Sequence, residues 1–178
     1  MSVKKKTAGR SSAKAEVEAA GKTQSAAERR AAGAELSSLI EKHAPAHQGL
    51  VAALRKLLQK RLPTAYEVVY EYGKQGAVVI SFSPSERGYE GVLTLRASED
   101  GVKLYFNRGK ELPDPGKLLK GTSQTRFIDV ESATTLARAE VARLIEEVIA
   151  RNPVPFATEG RGSVIIQSTS AKKKRSSG

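Results

Sequence analysis

Apolar positions along this chain change period twice, from helical to strand-like and back again. Leu36, Leu39, Ile40 and His43 recur at i, i+3, i+4 and i+7, which is one face of a helix. Pro45 interrupts that stripe, because proline breaks a helix interior but can open the next helix. Leu50, Val51, Leu54, Leu57, Leu58 and Leu62 then resume the period, with Arg55, Lys56, Gln59 and Lys60 between them and Pro63 as the stop. Short β-rich runs follow at 65–73, 77–83, 92–98, 102–107 and 125–130, separated by turn residues. The first places Tyr66, Val68, Tyr70 and Tyr72 on one face and Glu67 and Glu71 on the other. Asp100-Gly101 suits a tight hairpin turn, and the longest connection spans 108–124. Beyond Ser132 the helical period returns through Leu136, Val141, Leu144, Ile145, Val148 and Ile149.

Consecutive short strands with tight turns predict an antiparallel sheet of about five strands. Apolar stripes on the flanking helices predict that N-terminal and C-terminal helices cover one face of it. The expected architecture is therefore an α+β two-layer sandwich over residues 35–151. Val164, Ile165 and Ile166 lie beyond the helix stop at Pro153 and Pro155, and suit either an edge strand or a hydrophobic clip.

Charge alters this picture mainly at the ends. The net charge is +11, of which residues 1–34 carry +5 and residues 152–178 carry +4, leaving +2 for the middle. Residues 1–34 are Ala, Lys, Ser, Gly, Glu and Arg with almost no β-branched apolar residue, so they read as a disordered basic tail with at most transient helix. Residues 152–178 read as an extended segment followed by a second basic tail. Clusters Lys4, Lys5, Lys6 and Lys172, Lys173, Lys174, Arg175 suit weak, salt-sensitive polyanion or nucleic-acid binding, or simple solubilisation. No apolar run approaches the roughly 18 residues of a membrane span. With no apolar h-region at the N-terminus, the reading is a cytoplasmic protein without a membrane partner.

The motifs are similar to those of one known family. A helix, "LVAALRKLLQKRLP", the strands, "DPGKLLKGTSQTRFIDV" and "ESATTLARAEVARLIEEVI" together resemble the YdhG-like domain family, a family of unknown function. The likeness covers about residues 36–151 and is most specific from Asp114 to Val130. It departs from the commoner family form at Tyr72-Gly73, where a Pro-containing strand start is frequent. The resemblance implies an α/β sandwich of unknown molecular function and, in the members described as frataxin-like iron chaperones, an acidic surface for iron.

Catalytic chemistry has few places to sit. The chain has no Cys and two His, His43 and His47, whose i, i+4 spacing is broken by Pro45. These read as polar residues at a helix junction, His43 near a cap. Phosphate-loop look-alikes fail the rule G-x-x-x-x-G-K-[ST]: Glu16 replaces the first Gly before Gly21-Lys22, and Glu111 does so before Gly116-Lys117. The expectation is a non-enzymatic binding or interaction module with an unidentified protein or small anionic partner and no cofactor. Iron is the alternative cofactor, but Glu67 and Glu71 stand about 13 Å apart along a strand and read as a solvated face. The best candidate site is the long loop, where Lys117, Lys120, Gly121, Thr122, Ser123 and Arg126 have the composition of an anion-binding nest. The competing reading is a solvated loop pinned by Leu118 and Leu119, with Arg126 pairing Asp129 or Glu131. The three tyrosines of the first strand suit either base stacking or packing under a helix, and no basic residues alternate with them along the strand.

Overall fold

The computed structural model describes residues 23–168. Helices α1 (Ala26–His43) and α2 (Gln48–Arg61) precede strands β1 (Tyr66–Tyr72), β2 (Ala77–Ser83), β3 (Leu93–Ser98), β4 (Gly101–Phe106) and β5 (Arg126–Val130). Helix α3 (Ala139–Ala150) and strand β6 (Val164–Ser168) follow. The fold is α+β, with the sheet order β5-β4-β3-β2-β1-β6.

Five strands match the alternation in the sequence, and the four pairings among them are antiparallel. The sheet is nevertheless six-stranded and mixed, because β6 pairs with β1 in parallel, Val68 opposite Ile165. This corrects the five-stranded antiparallel expectation. A parallel partner needs a long crossover, here the stretch containing α3, so no hairpin signal marks the pairing.

The N-terminal border also shifts. Helix α1 starts at Ala26, inside the segment assigned to the basic tail. Its start is fixed by a capping box: Ser25 accepts from the Glu28 amide, and the Glu28 carboxylate accepts from the Ser25 amide. Just before it, the Gln24 side chain both donates to and accepts from the Val164 backbone, at 2.9 Å each. That amide occupies the outward-facing groups of β6 as a neighbouring strand would. Residues 24–34 and 164–168 are thus tied to each other.

One core cluster joins Leu36 and Ile40 of α1, Val51, Leu54 and Leu58 of α2, and Leu144, Ile145 and Val148 of α3. From the sheet it takes Val69, Val78, Ile80, Phe82, Leu93, Leu95, Leu104 and Phe106. These strand positions share one parity, so all three helices pack on one face, in accord with a two-layer arrangement. No helix among the described residues is long and apolar enough to cross a membrane.

The covered face holds the two strand acids. Glu67 and Glu71 are both buried, which corrects the solvated-face reading. Glu67 accepts from Arg55 Nε at 2.7 Å and from Gln59 Nε2 at 2.5 Å, both on α2. Glu71 accepts from Lys42 Nζ at 3.1 Å, and His43 Nε2 lies 2.7 Å from the same oxygen. His43, the last residue of α1 at the helix junction, is therefore also a buried partner of β1. The tyrosines of β1 take the opposite parity and lie on the face without helices, which corrects their packing under a helix.

Candidate functional site

The uncovered face is built by strand register. Tyr70 stands opposite Val79, Val79 opposite Arg96, and Arg96 opposite Lys103. One step along, Thr94 stands opposite Tyr105 and Tyr105 opposite Phe127. Residues directly opposite in an antiparallel pair share a face. Aromatic and cationic side chains from four strands therefore interleave across the sheet, and on β4 Lys103 and Tyr105 follow each other on this face, although no cation stands between the tyrosines of β1.

Several contacts organise this surface. Tyr105 and Phe127 have ring centroids 5.3 Å apart at an interplanar angle of 38°. Lys103 Nζ lies 4.7 Å from the Phe127 ring centroid, a cation–π contact. Neither Arg96 nor Lys103 forms an ion pair among the described residues. The one acid that the described strands place on this face, Asp129, is held by Lys120 Nζ at 2.5 Å. Tyr72 and Tyr105 flank a shallow groove of about 290 Å³ with Val79, Thr94 and Arg96 along it and Asn107 at its end.

Beside the groove, part of the face is covered. The β2–β3 connection folds over the face so closely that a Cβ on Gly88 would lie 1.9 Å from the Tyr70 hydroxyl. Burial, reinforced by neighbouring Tyr72, raises the pKa of that hydroxyl above its ordinary value. Ser81 and Ser83 are sealed beneath the same connection, donating to the Gly88 and Arg87 carbonyls. Tyr72, Arg96, Lys103 and Tyr105 lie outside it.

The long loop is differently arranged from a nest awaiting an anion. Amides of Leu118 and Leu119 donate to the two carboxylate oxygens of Asp114, at 2.9 Å each, so the chain supplies its own anion. Lys117 adopts a positive φ of 51° and is exposed at this turn. Lys120 pairs with Asp129, and Arg126 donates through one terminal nitrogen to the Gly121 carbonyl, not to Asp129 or Glu131. Ser123 donates to the Thr125 carbonyl at 2.8 Å, while Gly121 and Thr122 are exposed. Of the six sequence candidates, Gly121 and Arg126 meet directly, and Lys120 bonds across to Phe127 on β5. Lys4, Lys5, Lys6, Lys172, Lys173, Lys174 and Arg175 lie outside the described residues.

No group of three or more His, Cys, Asp or Glu able to hold a metal ion occurs among the described residues. Each buried acid already has a cationic partner. The Glu71 carboxyl is held below the ordinary glutamate range, first by its hydrogen bond with His43 and against a smaller opposing effect of burial.

Sequence reasoning missed the uncovered face because it looked for basic residues between the tyrosines of one strand. Arg96 and Lys103 flank the Asp100-Gly101 hairpin at paired positions, and pairing the two arms of that hairpin would have placed them side by side. Comparison with family models, curated proteins and solved structures gives no match to this chain, so the YdhG-like resemblance rests on its sequence motifs.

Proposed function

We propose that this chain is a non-enzymatic module that binds single-stranded nucleic acid on the uncovered sheet face. The observation that carries the reading is the interleaving of Tyr72, Tyr105 and Phe127 with the unpaired cations Arg96 and Lys103. Bases stack on aromatic side chains whatever their sequence, and each stacked base contributes about 1–3 kcal/mol. Arg96 and Lys103 supply phosphate contacts beside the rings, and the groove between Tyr72 and Tyr105 is of a size for one base. The net charge of +11 adds long-range attraction for a polyanion. Ordinary proton-transfer chemistry has little support on this face, where the acid is ion-paired and the described strands place no histidine.

The chain has five Tyr and no Trp, and four of those Tyr lie on the uncovered face, so intrinsic emission reports on it directly. Titrating the full chain with an unstructured oligothymidylate should quench tyrosine emission as anisotropy rises. A Tyr72→Ala, Tyr105→Ala double variant should bind about tenfold or more weakly while keeping a similar salt slope, because it loses stacking and no charge. Unchanged affinity in that variant, with binding abolished by moderate salt, would sink the reading and leave only diffuse attraction to basic segments.

A further inference from the structure

At the opposite edge of the sheet, on the helical side, a second cleft draws two arginines together from distant parts of the chain. Arg29 lies in the first turns of α1, and Arg161 lies in the segment leading into β6. Both line a cavity of about 210 Å³ together with Gln59, Glu67 and Gly162. Neither guanidinium forms an ion pair or hydrogen bond among the described residues. The acid in the wall, Glu67, has its two oxygens engaged by Arg55 and Gln59. We propose that the cleft between Arg29 and Arg161 is a binding site for a phosphate-type oxyanion.

The backbone around Arg161 is fixed on both sides. Upstream, the Ala157 carbonyl accepts from Thr64 Oγ1 at 2.6 Å. Downstream, the Ser163 carbonyl accepts from the Glu67 amide at 2.9 Å. Gly162 packs so closely on the Ala65 carbonyl that a Cβ would lie 1.8 Å from its oxygen, and Gly160 turns the chain with a φ of +90°. The other arginine is fixed as well, since Ser25 caps α1 and Gln24 straps it to Val164. Two cations are therefore carried into one cleft on fixed backbone, leaving mainly their own side-chain rotamers to be ordered on binding. Their mutual effect is visible on Arg29, whose pKa is lowered by burial first and by the charge of Arg161 second. Glu67 offsets part of this from the cleft wall, and an oxyanion bridging the two forks would offset the rest through charge-assisted hydrogen bonds.

Inorganic phosphate is the probe. Added to the full chain at constant ionic strength, it should shift the backbone amide resonances of Gly160, Arg161 and Gly162 in a saturable way. Arg161→Gln should weaken that binding about tenfold, the equivalent of one charged hydrogen bond. Arg161 is exposed, so the variant should keep the parent's thermal midpoint. Amides that do not move, or that saturate identically in Arg161→Gln, overturn the site. The source of the phosphate is read by titrating the same variant with oligothymidylate. A tenfold loss there as well assigns the site to a nucleic-acid phosphate, and an unchanged affinity assigns it to a free phosphate or phosphomonoester. Tyr72→Ala, Tyr105→Ala should leave the phosphate-induced shifts intact, which separates this site from the uncovered face.

Discussion

The two faces of the sheet carry polar groups by opposite rules. On the helix-covered face, Glu67 and Glu71 are buried and each is bound by cations or donors from the helix above it. On the uncovered face, Arg96 and Lys103 stand among aromatic rings with no carboxylate partner among the described residues. A buried charge is tolerated only when its hydrogen bonds are met, so the first pattern fixes how helices sit on strands. Arg96 and Lys103 are only half-buried, and a cation that keeps access to water costs far less to leave unpaired than a buried one, so the second pattern is free to meet a ligand. The comparison teaches that charge paired inside serves register and charge unpaired outside is available for recognition.

The strongest way to sharpen this contrast is to remove a large side chain from the covered face. Phe82 is fully buried and belongs to the core cluster beneath the helices. Phe82→Ala should cost about 3–5 kcal/mol, from lost burial plus the cavity left behind. Urea denaturation of the variant beside the parent measures this directly. A loss below about 1 kcal/mol, far under the usual cost of such a truncation, would mean that the helices do not seal this face.

A smaller effect comes from the buried acids. Glu71 is held below the ordinary glutamate value of 4.5, chiefly by its hydrogen bond with His43. A depressed folded-state pKa contributes stability that is complete above the unfolded value and is lost as pH falls through the folded one. Glu71→Gln should therefore be less stable than the parent near neutrality, by about 1.5–3 kcal/mol. The gap should close as pH falls from about 5 to about 3. Chemical denaturation of both proteins across that range gives the difference curve, and a gap that stays constant or widens would contradict the assigned pairing.

The strands, their parity and the helical stripes were legible because each leaves a local trace. Alternation from Tyr66 to Tyr72 correctly put the tyrosines and the two glutamates on opposite faces. Which of those faces the helices cover was not legible, since aromatic residues suggest a core more strongly than glutamates do. The answer depends on Arg55, Gln59, Lys42 and His43 arriving from α1 and α2 to neutralise the acids. Such pairing is a tertiary fact with no signature along the chain. The same holds for β6, whose partner is reached through a crossover, and for Arg29 and Arg161, which line one cleft because α1 packs beside β6. The long loop shows the converse: its composition suits an anion nest, but Asp114 occupies the amides. A stretch of sequence gives the donors without saying whether an internal acceptor takes them.

The smallest effect on stability should come from the uncovered face, and there the contrast can be broken cleanly. Arg96 and Lys103 form no ion pairs among the described residues, so replacing both with glutamine leaves no buried charge behind. The double variant should stay within about 0.5 kcal/mol of the parent, as surface substitutions usually do, less the single cation–π interaction over Phe127. If the face binds single-stranded nucleic acid, the same change should reduce the salt dependence of affinity, by roughly one unit of slope for each phosphate the protein no longer neutralises. Stability and binding would then respond to different faces of one sheet. A variant that loses stability as Phe82→Ala does, while binding oligothymidylate as before, would reverse the assignment and make the interleaved cations structural.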